Sequence, residues 1–414
     1  MTDCVFGKKN SKNSHTTKKS SRKEQILEAA FDLTRTSKQW SLAEVAQRIA
    51  VSKTALYRHF KNKAEIEKEM NVQFLTELST LLENTETQPD TLRKATVSFF
   101  RKNNGYLFFV ISNMYARKNY EDIVFEALRE KSEKVDRCAQ QFLNKPEEER
   151  SIFKTDLIKN VASVMIASFD APGMEEIQNE LLKLLKEGFS TKYFSSIFFP
   201  TEARLLELEK ECVLVPEDID TGNKVFNAIA ATIHEYGIGG TTIRRIAEKM
   251  GSAKSSLYFY FDNKEKMLLE LVRQETDTIL HLFIKRAHIG KTFLEQLFLI
   301  MMIQAHYLIL KPDFLPVFSW IRYEMIALDS NKKTPHFKRE QFLSHFRHTE
   351  LPGNAEQSAT RALAAIKWAS MLSTTTITQG LRHKDNPERS RKNIRLMFHS
   401  MMSGDRKHSL KERL

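Results

Sequence analysis

The strongest constraint in this sequence is a long-period repeat. Ser52 to Lys63 reads SKTALYRHFKNK, and Ala253 to Lys264 reads AKSSLYFYFDNK. The shared Lys, Leu, Tyr, Phe, Asn and Lys fall in register at an offset of 201, as do Ala46 and Ala247 upstream. Further upstream the offset becomes 199, pairing Ile26 with Val225 and Ala29 with Ala228, so copy one is two residues shorter in its first helical connection. A period this long marks a duplicated domain, because solenoid units recur every 20–50 residues or so.

Length agrees with duplication, since 414 residues exceed one ordinary core. Hydrophobic residues at 41% and charged residues at 28% suit globular domains. A net charge of +12 makes an acidic partner such as nucleic acid worth testing against the motifs. The three cysteines, Cys4, Cys138 and Cys212, are odd in number and lack metal-ligand spacing, which predicts a reducing compartment and no disulfide framework. The longest apolar stretch, Phe293 to Phe318, is interrupted by Glu295, Gln296, Gln304, His306, Lys311 and Asp313, so no membrane span is expected. The basic N-terminus has no apolar signal core, and a cytoplasmic location is the expectation.

Apolar residues recur at helical spacing in both copies: Ile26, Ala29, Ala30 and Leu33 in one, Val225, Ala228, Ile229 and Ile233 in the other. Alternating β-branched runs are almost absent, and the fold class is read as all-α. Residues 1–20 form a polar, lysine-rich tail expected to be disordered. The first three-helix unit is placed at 21–68 and a first helical regulatory domain at 69–190. A linker at 191–216 follows, with a short helix around Glu202–Glu211. The second unit then occupies 217–269, its regulatory domain 270–403, and a basic tail 404–414. Helices are expected near 91–115, 120–143, 150–169 and 173–190, then near 292–310, 314–328, 355–380 and 387–402. Pro387 after Asn386 suits a helix start.

Within each unit, two short helices joined by a tight turn are what lays a helix in the major groove. Ser41-Leu42-Ala43-Glu44 is a capping-box pattern opening the second helix, with Leu42, Val45, Ala46 and Ile49 facing inward. The turn passes through Ala50 and Val51, and Ser52 caps the next helix. There Leu56 and Phe60 face inward, leaving Lys53, Thr54, Tyr57, Arg58 and His59 outside. Copy two repeats this with Thr242 as cap, Ile243, Ile246, Ala247 and Met250 inward, and Gly251 at the turn. Ser252 precedes its recognition helix, Leu257 and Phe261 are its buried pair, and Lys254, Ser255, Tyr258 and Tyr260 lie outside with Phe259. Hydroxyls and ammonium groups suit phosphate oxygens, and arginine suits a guanine edge. Lys63 and Lys264, each after an asparagine at the start of the following helix, add a further phosphate site. Tail residues Lys8, Lys9, Lys12, Lys18, Lys19, Arg22 and Lys23 could follow the phosphate backbone or enter the minor groove.

Both units resemble the helix-turn-helix domain of TetR family regulators. In copy one the likeness rests on Ile26…Ala29-Ala30…Leu33, Val45-Ala46, Val51-Ser52-Lys53 and Leu56-Tyr57-Arg58-His59-Phe60-Lys61-Asn62-Lys63. In copy two it rests on Val225…Ala228, Gly237…Thr241-Thr242, Ile246-Ala247, Gly251 and Lys254…Leu257-Tyr258-Phe259-Tyr260-Phe261-Asp262-Asn263-Lys264-Glu265. Copy one departs from the pattern at Ala50, where the turn usually has glycine, and near Trp40. Copy two departs at Phe259 and Tyr260, where a more polar pair is common.

The resemblance implies a sequence-specific transcriptional regulator on double-stranded DNA, with effector-controlled repression as the usual outcome. Such proteins usually act as homodimers through a bundle of their last two helices. Here that implies an intramolecular pseudo-dimer built from about 150–169 and 173–190 with 355–380 and 387–402, further self-association being open. Ile158, Val161, Val164 and Met165 form one apolar stripe; Ala365, Trp368, Met371 and Leu372 form another. Unlike readers predict an operator with two unlike half-sites. Phe99, Phe109 and Met114, then Phe298, Met302, Tyr307 and Trp320, are the candidate lining of an apolar or amphipathic effector site, although such clusters also serve as plain core.

No cofactor, metal site or catalytic motif is expected. Gly237-Ile238-Gly239-Gly240 follows a helix and is read as a turn rather than a nucleotide loop. His345 and His348 lack a third ligand in the sequence around them. A helical sensing or protein-interaction module with vestigial readers is the alternative from another class, and retention on specific DNA separates the two.

Overall fold

The computed structural model describes residues 21–36, 40–86, 88–116, 120–168, 175–189, 199–219, 223–253, 257, 261, 263–315 and 339–404, and the described residues include no strand. Unit one is α1 (Arg22–Thr36), α2 (Leu42–Arg48) and α3 (Lys53–Tyr57). It is followed by α4 (Lys63–Asn84), α5 (Pro89–Lys102), α6 (Asn104–Ala116), α7 (Tyr120–Lys131), α8 (Glu133–Leu143), α9 (Glu147–Ser168) and α10 (Glu175–Glu187). After α11 (Glu202–Glu211), copy two continues through α12 (Lys224–Gly240), α13 (Ile243–Met250), α14 (Lys264–Arg286) and α15 (Phe293–Leu310). The chain ends with α16 (Arg339–Leu343), α17 (Ala355–Arg382) and α18 (Pro387–Ser403).

The repeat is visible in what is buried. Val45, Ala46, Leu56, Phe60, Ile66 and Met70 are core residues, and so are their counterparts Ile246, Ala247, Leu257, Phe261, Met267 and Leu271. Burying each such side chain stabilises its unit by roughly 1.5–3 kcal/mol, which ties each unit to the long helix that follows.

Two expected helices are broken. The segment near 91–115 divides at Asn103, whose φ of −121° and ψ of 62° leave the helical region. Gly105 then packs so closely on α1 that a Cβ there would approach Phe31 Cβ to 2.7 Å. The segment near 120–143 divides at Ser132, which caps α8 by accepting from Val135 N and donates to Glu83 on α4 at 2.5 Å. In copy two, Gly237 to Gly240 continue α12 instead of forming the expected turn. The expected helix at 314–328 lies almost wholly outside the described residues.

The described part of the segment read as a linker packs into the core of copy two. Leu205 and Leu208 of α11, with Cys212 at its C-terminal cap, are fully buried against copy two. Arg204 forks onto Glu295 at 3.1–3.2 Å and donates to Ile289 O at 2.8 Å. Glu202 and Glu209 receive Arg391, Arg395 and His399 from α18.

One helix departs from the sequence expectation in another way. Phe293–Leu310 is long and apolar enough to cross a membrane by length and composition, yet 89% of that window is buried inside the protein. It is the central core helix of copy two.

The last two helices of each copy pack together: α9 lies on α10, α17 and α18, and α10 lies on α17 and α18. Trp368, fully buried, donates through Nε1 to Ser163 Oγ at 3.1 Å. The buried Lys159 ammonium donates to Ser400 O and Gly404 O at 3.1 and 3.0 Å, which places a cation on the carbonyl end of α18. Gly188 and Gly404, each one residue past its helix, both have φ of +61°. A Cβ on Gly188 would fall 2.3 Å from Met402 O, and one on Gly404 would fall 2.3 Å from Gly188 N. Equivalent ends of the two copies therefore cross at the same point, a contact type made by two-fold symmetric partners.

Candidate nucleic-acid interface

The first reader is locally well determined. Ser41 Oγ accepts from Glu44 N at 3.3 Å while Ser41 N donates to Glu44 Oε2 at 2.7 Å, completing the capping box. These bonds hold the Glu44 carboxyl below its ordinary range. Ser52 Oγ accepts from Ala55 N at 3.1 Å and starts α3. Between the helices Ala50 sits at φ +53°, and its counterpart Gly251 sits at φ +64°. Both turns are thus left-handed, although only copy two has the residue for which that conformation is unstrained.

Burial of Leu56 and Phe60 turns the remaining face of α3 outward. Lys53, Thr54, Tyr57, Arg58 and His59 are all exposed, and the Lys53 ammonium lies 5.9 Å from the Tyr57 ring centre. Arg58 and His59 form no ion pair or side-chain hydrogen bond with any described residue. Lys63 behaves differently from the expectation. Its ammonium donates to Trp40 O at 2.9 Å, stands 4.4 Å from the Trp40 ring centre and lies 3.7 Å from Glu67. In the absence of DNA it is engaged by Trp40 and Glu67 rather than presenting an unengaged charge.

In the second reader Thr242 Oγ1 accepts from Arg245 N at 3.3 Å, and Thr242 and Ser252 are exposed. Lys254, Ser255, Tyr258, Tyr260 and the side chain of Lys264 lie outside the described residues. One basic group escaped the sequence reading: Arg244, in the first turn of α13, is 76% exposed and only loosely paired to Glu248 at 3.4 Å. Its counterpart in copy one is Ala43, so the charge is specific to copy two, and the Arg-Arg pair after Thr242 was its sequence signal.

The expected effector residues are placed in packed cores. Phe109 belongs to the first core, with Phe99 half-buried on its edge, while Phe298, Met302 and Tyr307 are fully buried in the second. Phe298 packs edge-on against Phe398 at 5.2 Å, and the Tyr307 hydroxyl is bonded to Glu275. The Met114 side chain and Trp320 lie outside the described residues. Among the described residues no group of three or more His, Cys, Asp or Glu is arranged to hold a metal. His348 Nδ1 faces the Leu343 and Phe346 carbonyls instead of His345.

In copy one α2 and α3 pack across a tight left-handed turn, and copy two repeats that turn at Gly251 with Leu257 and Phe261 buried like Leu56 and Phe60, which is the layout of a helix-turn-helix DNA-binding regulator. The model of the family described as "Bacterial regulatory proteins, tetR family" matches residues 37–70 and 225–271. The chain therefore carries two TetR-like helix-turn-helix segments in tandem, as a DNA-binding transcriptional regulator does. The first match begins after α1, where copy one has its shortened connection. No curated protein matches the chain.

Proposed function

We propose that the chain is an effector-responsive repressor that reads an operator with two unlike half-sites as a single-chain pseudo-dimer, in the cytoplasm of a bacterium. The observation that carries this reading is the crossing of α10 and α18 at Gly188 and Gly404, within a bundle of α9, α10, α17 and α18. In a homodimer the equivalent helices come from two identical chains; here they come from one. Both readers are then held by a common core, at a distance to be matched to one helical turn of DNA, about 34–36 Å.

A covalent pair has no need of identical readers. Copy one carries Arg58 and His59 where copy two carries Phe259 and Tyr260, so guanine readout belongs to the first half-site. Lys53, Thr54, Tyr57, Ser41 and Ser52 fix copy one on phosphates, as Thr242, Ser252, Lys254, Ser255, Tyr258 and Lys264 do in copy two. Arg244 joins them as a phosphate contact of copy two. Repression follows from occupancy of the operator, and an effector that favours a different packing of the bundle releases it.

Selection from randomised duplex DNA by the full-length protein, at two salt concentrations, tests the reading. Two unlike half-sites at fixed spacing are expected. Enrichment of a true palindrome would refute the pseudo-dimer, and binding that selects no sequence and vanishes with salt would refute specific readout altogether.

A further inference from the structure

We infer that the seam between the two copies binds a small amphipathic monocarboxylate. A cavity of about 280 Å³ opens where the α8–α9 corner of copy one meets the α17–α18 corner of copy two. That is the small end of ligand pockets, which begin near 300 Å³. One wall is apolar, made by Phe142, Leu143 and Ile158. It continues outward onto Phe153, whose ring centre lies 4.8 Å from that of Phe142. Leu143 and Phe153 are 51% and 44% exposed, so apolar surface in contact with water leads into the cavity.

The charges on the other wall are unbalanced. Two acids line it, Glu147 and Asp385, and Arg389 engages both at 3.2 and 3.3 Å. Asn393 also donates to Asp385 at 3.1 Å. Arg150 and Lys154, one turn apart on α9, line the same cavity and form no ion pair or side-chain hydrogen bond with any described residue. Thr376 adds a buried hydroxyl with no hydrogen-bond partner among the described residues, the kind of orphan a ligand atom satisfies.

An apolar wall beside two unpaired cations, in a lining whose charged groups sum to one net positive charge (Arg150, Lys154 and Arg389 against Glu147 and Asp385), selects a ligand with an apolar body and one anionic head. A carboxylate fits the arginine fork and the neighbouring ammonium together, whereas an alcohol leaves both unsatisfied and an amine repels them. None of the effector candidates read from the sequence lines this cavity. Because the walls come from both copies, occupancy biases how the copies pack. That regulatory consequence rests on the proposed repressor function, whereas binding itself does not.

Calorimetric titration of the full-length protein without DNA tests the site, using octanoate, octanol and octylamine as probes that share one chain. Octanoate is expected to bind saturably, one per chain, and the other two are not. The double substitution R150Q/K154Q, at positions that are not part of the core, is expected to lower octanoate affinity by about tenfold or more. Ile158→Trp, which fills the cavity, is expected to abolish binding. Octanol or octylamine binding as well as octanoate would reduce the site to an apolar surface and overturn the inference. Unchanged octanoate affinity in R150Q/K154Q, or no saturable octanoate binding at all, overturns it too. DNA retention measured without octanoate reports on the repressor reading separately, so the two failures are distinguishable.

Discussion

Ala50 and Gly251 occupy the same turn in the two readers, and exchanging their residue types gives opposite expected effects. Ala50 holds φ +53° with a Cβ, a conformation that costs an L-residue roughly 1–2 kcal/mol. Ala50→Gly removes that cost but adds unfolded-state freedom worth about 0.4–1 kcal/mol. The net expectation is a stabilisation of about 0.5–1 kcal/mol in the first reader. At Gly251 a Cβ would meet nothing within 4 Å, so Gly251→Ala carries only the conformational term, with the opposite sign. Amide exchange resolves the two readers within one protein. The Phe60 amide, bonded to Leu56 O, reports on the first, and the Phe261 amide, bonded to Leu257 O, on the second. Exchange of Phe60 is expected to slow roughly two- to fivefold in Ala50→Gly, and that of Phe261 to quicken by a similar factor in Gly251→Ala. If Ala50→Gly left Phe60 unchanged or quickened it, the claim that copy one carries a strained turn would be wrong.

Three further outcomes follow from named contacts. His306 is buried, its ring nitrogens have no partner of good hydrogen-bond geometry among the described residues, and burial, outweighing the polar contact with the Cys212 backbone, pushes its pKa down to about 4 from 6.5. The unfolded chain then holds a proton that the folded chain does not between those values, so stability falls as pH drops through that window, by about 2 kcal/mol at pH 5. His306→Leu should flatten this part of the Tm-against-pH curve, and an unaltered acid slope would count against the assignment. Lys159→Ala removes the ammonium from Ser400 O, which keeps Ser403 Oγ, and from Gly404 O inside the bundle, and should cost about 1–3 kcal/mol in denaturant unfolding, whereas a change near zero would mean that water replaces the ammonium. On a selected operator, Arg58→Ala should weaken binding by about 1–3 kcal/mol and relax preference at one base pair, while Lys53→Ala should weaken all sequences alike and reduce the salt slope by about one. Competition assays at two salt concentrations distinguish these, and interchange of the two patterns would reassign the residues.

The helix-turn-helix units were legible because their determinants are local. The caps Ser41, Ser52 and Thr242 and the inward pairs Leu56/Phe60 and Leu257/Phe261 act within one or two turns, so spacing alone identifies them. What escaped the sequence depends on distant partners. The break at Ser132 is fixed by Glu83 on α4, and that at Asn103 accompanies the approach of Gly105 to Phe31. The engagement of Lys63 with the Trp40 carbonyl was hidden because nothing in its neighbourhood announces that partner. Residues 191–216 read as a linker, yet Glu202, Arg204 and Glu209 within them find partners nearly one hundred to two hundred positions away. The seam cavity was invisible for the same reason, since Arg150 and Thr376 share it without any relation in sequence.

The central claim is that one chain supplies both readers of one operator. The mass of the complex between full-length protein and a selected duplex, combined with hydroxyl-radical protection of that duplex, tests it most directly. The expected result is one chain per duplex, with two unlike protected half-sites centred about 34–36 Å apart. Two chains on a palindrome, each protecting a single half-site, would contradict it.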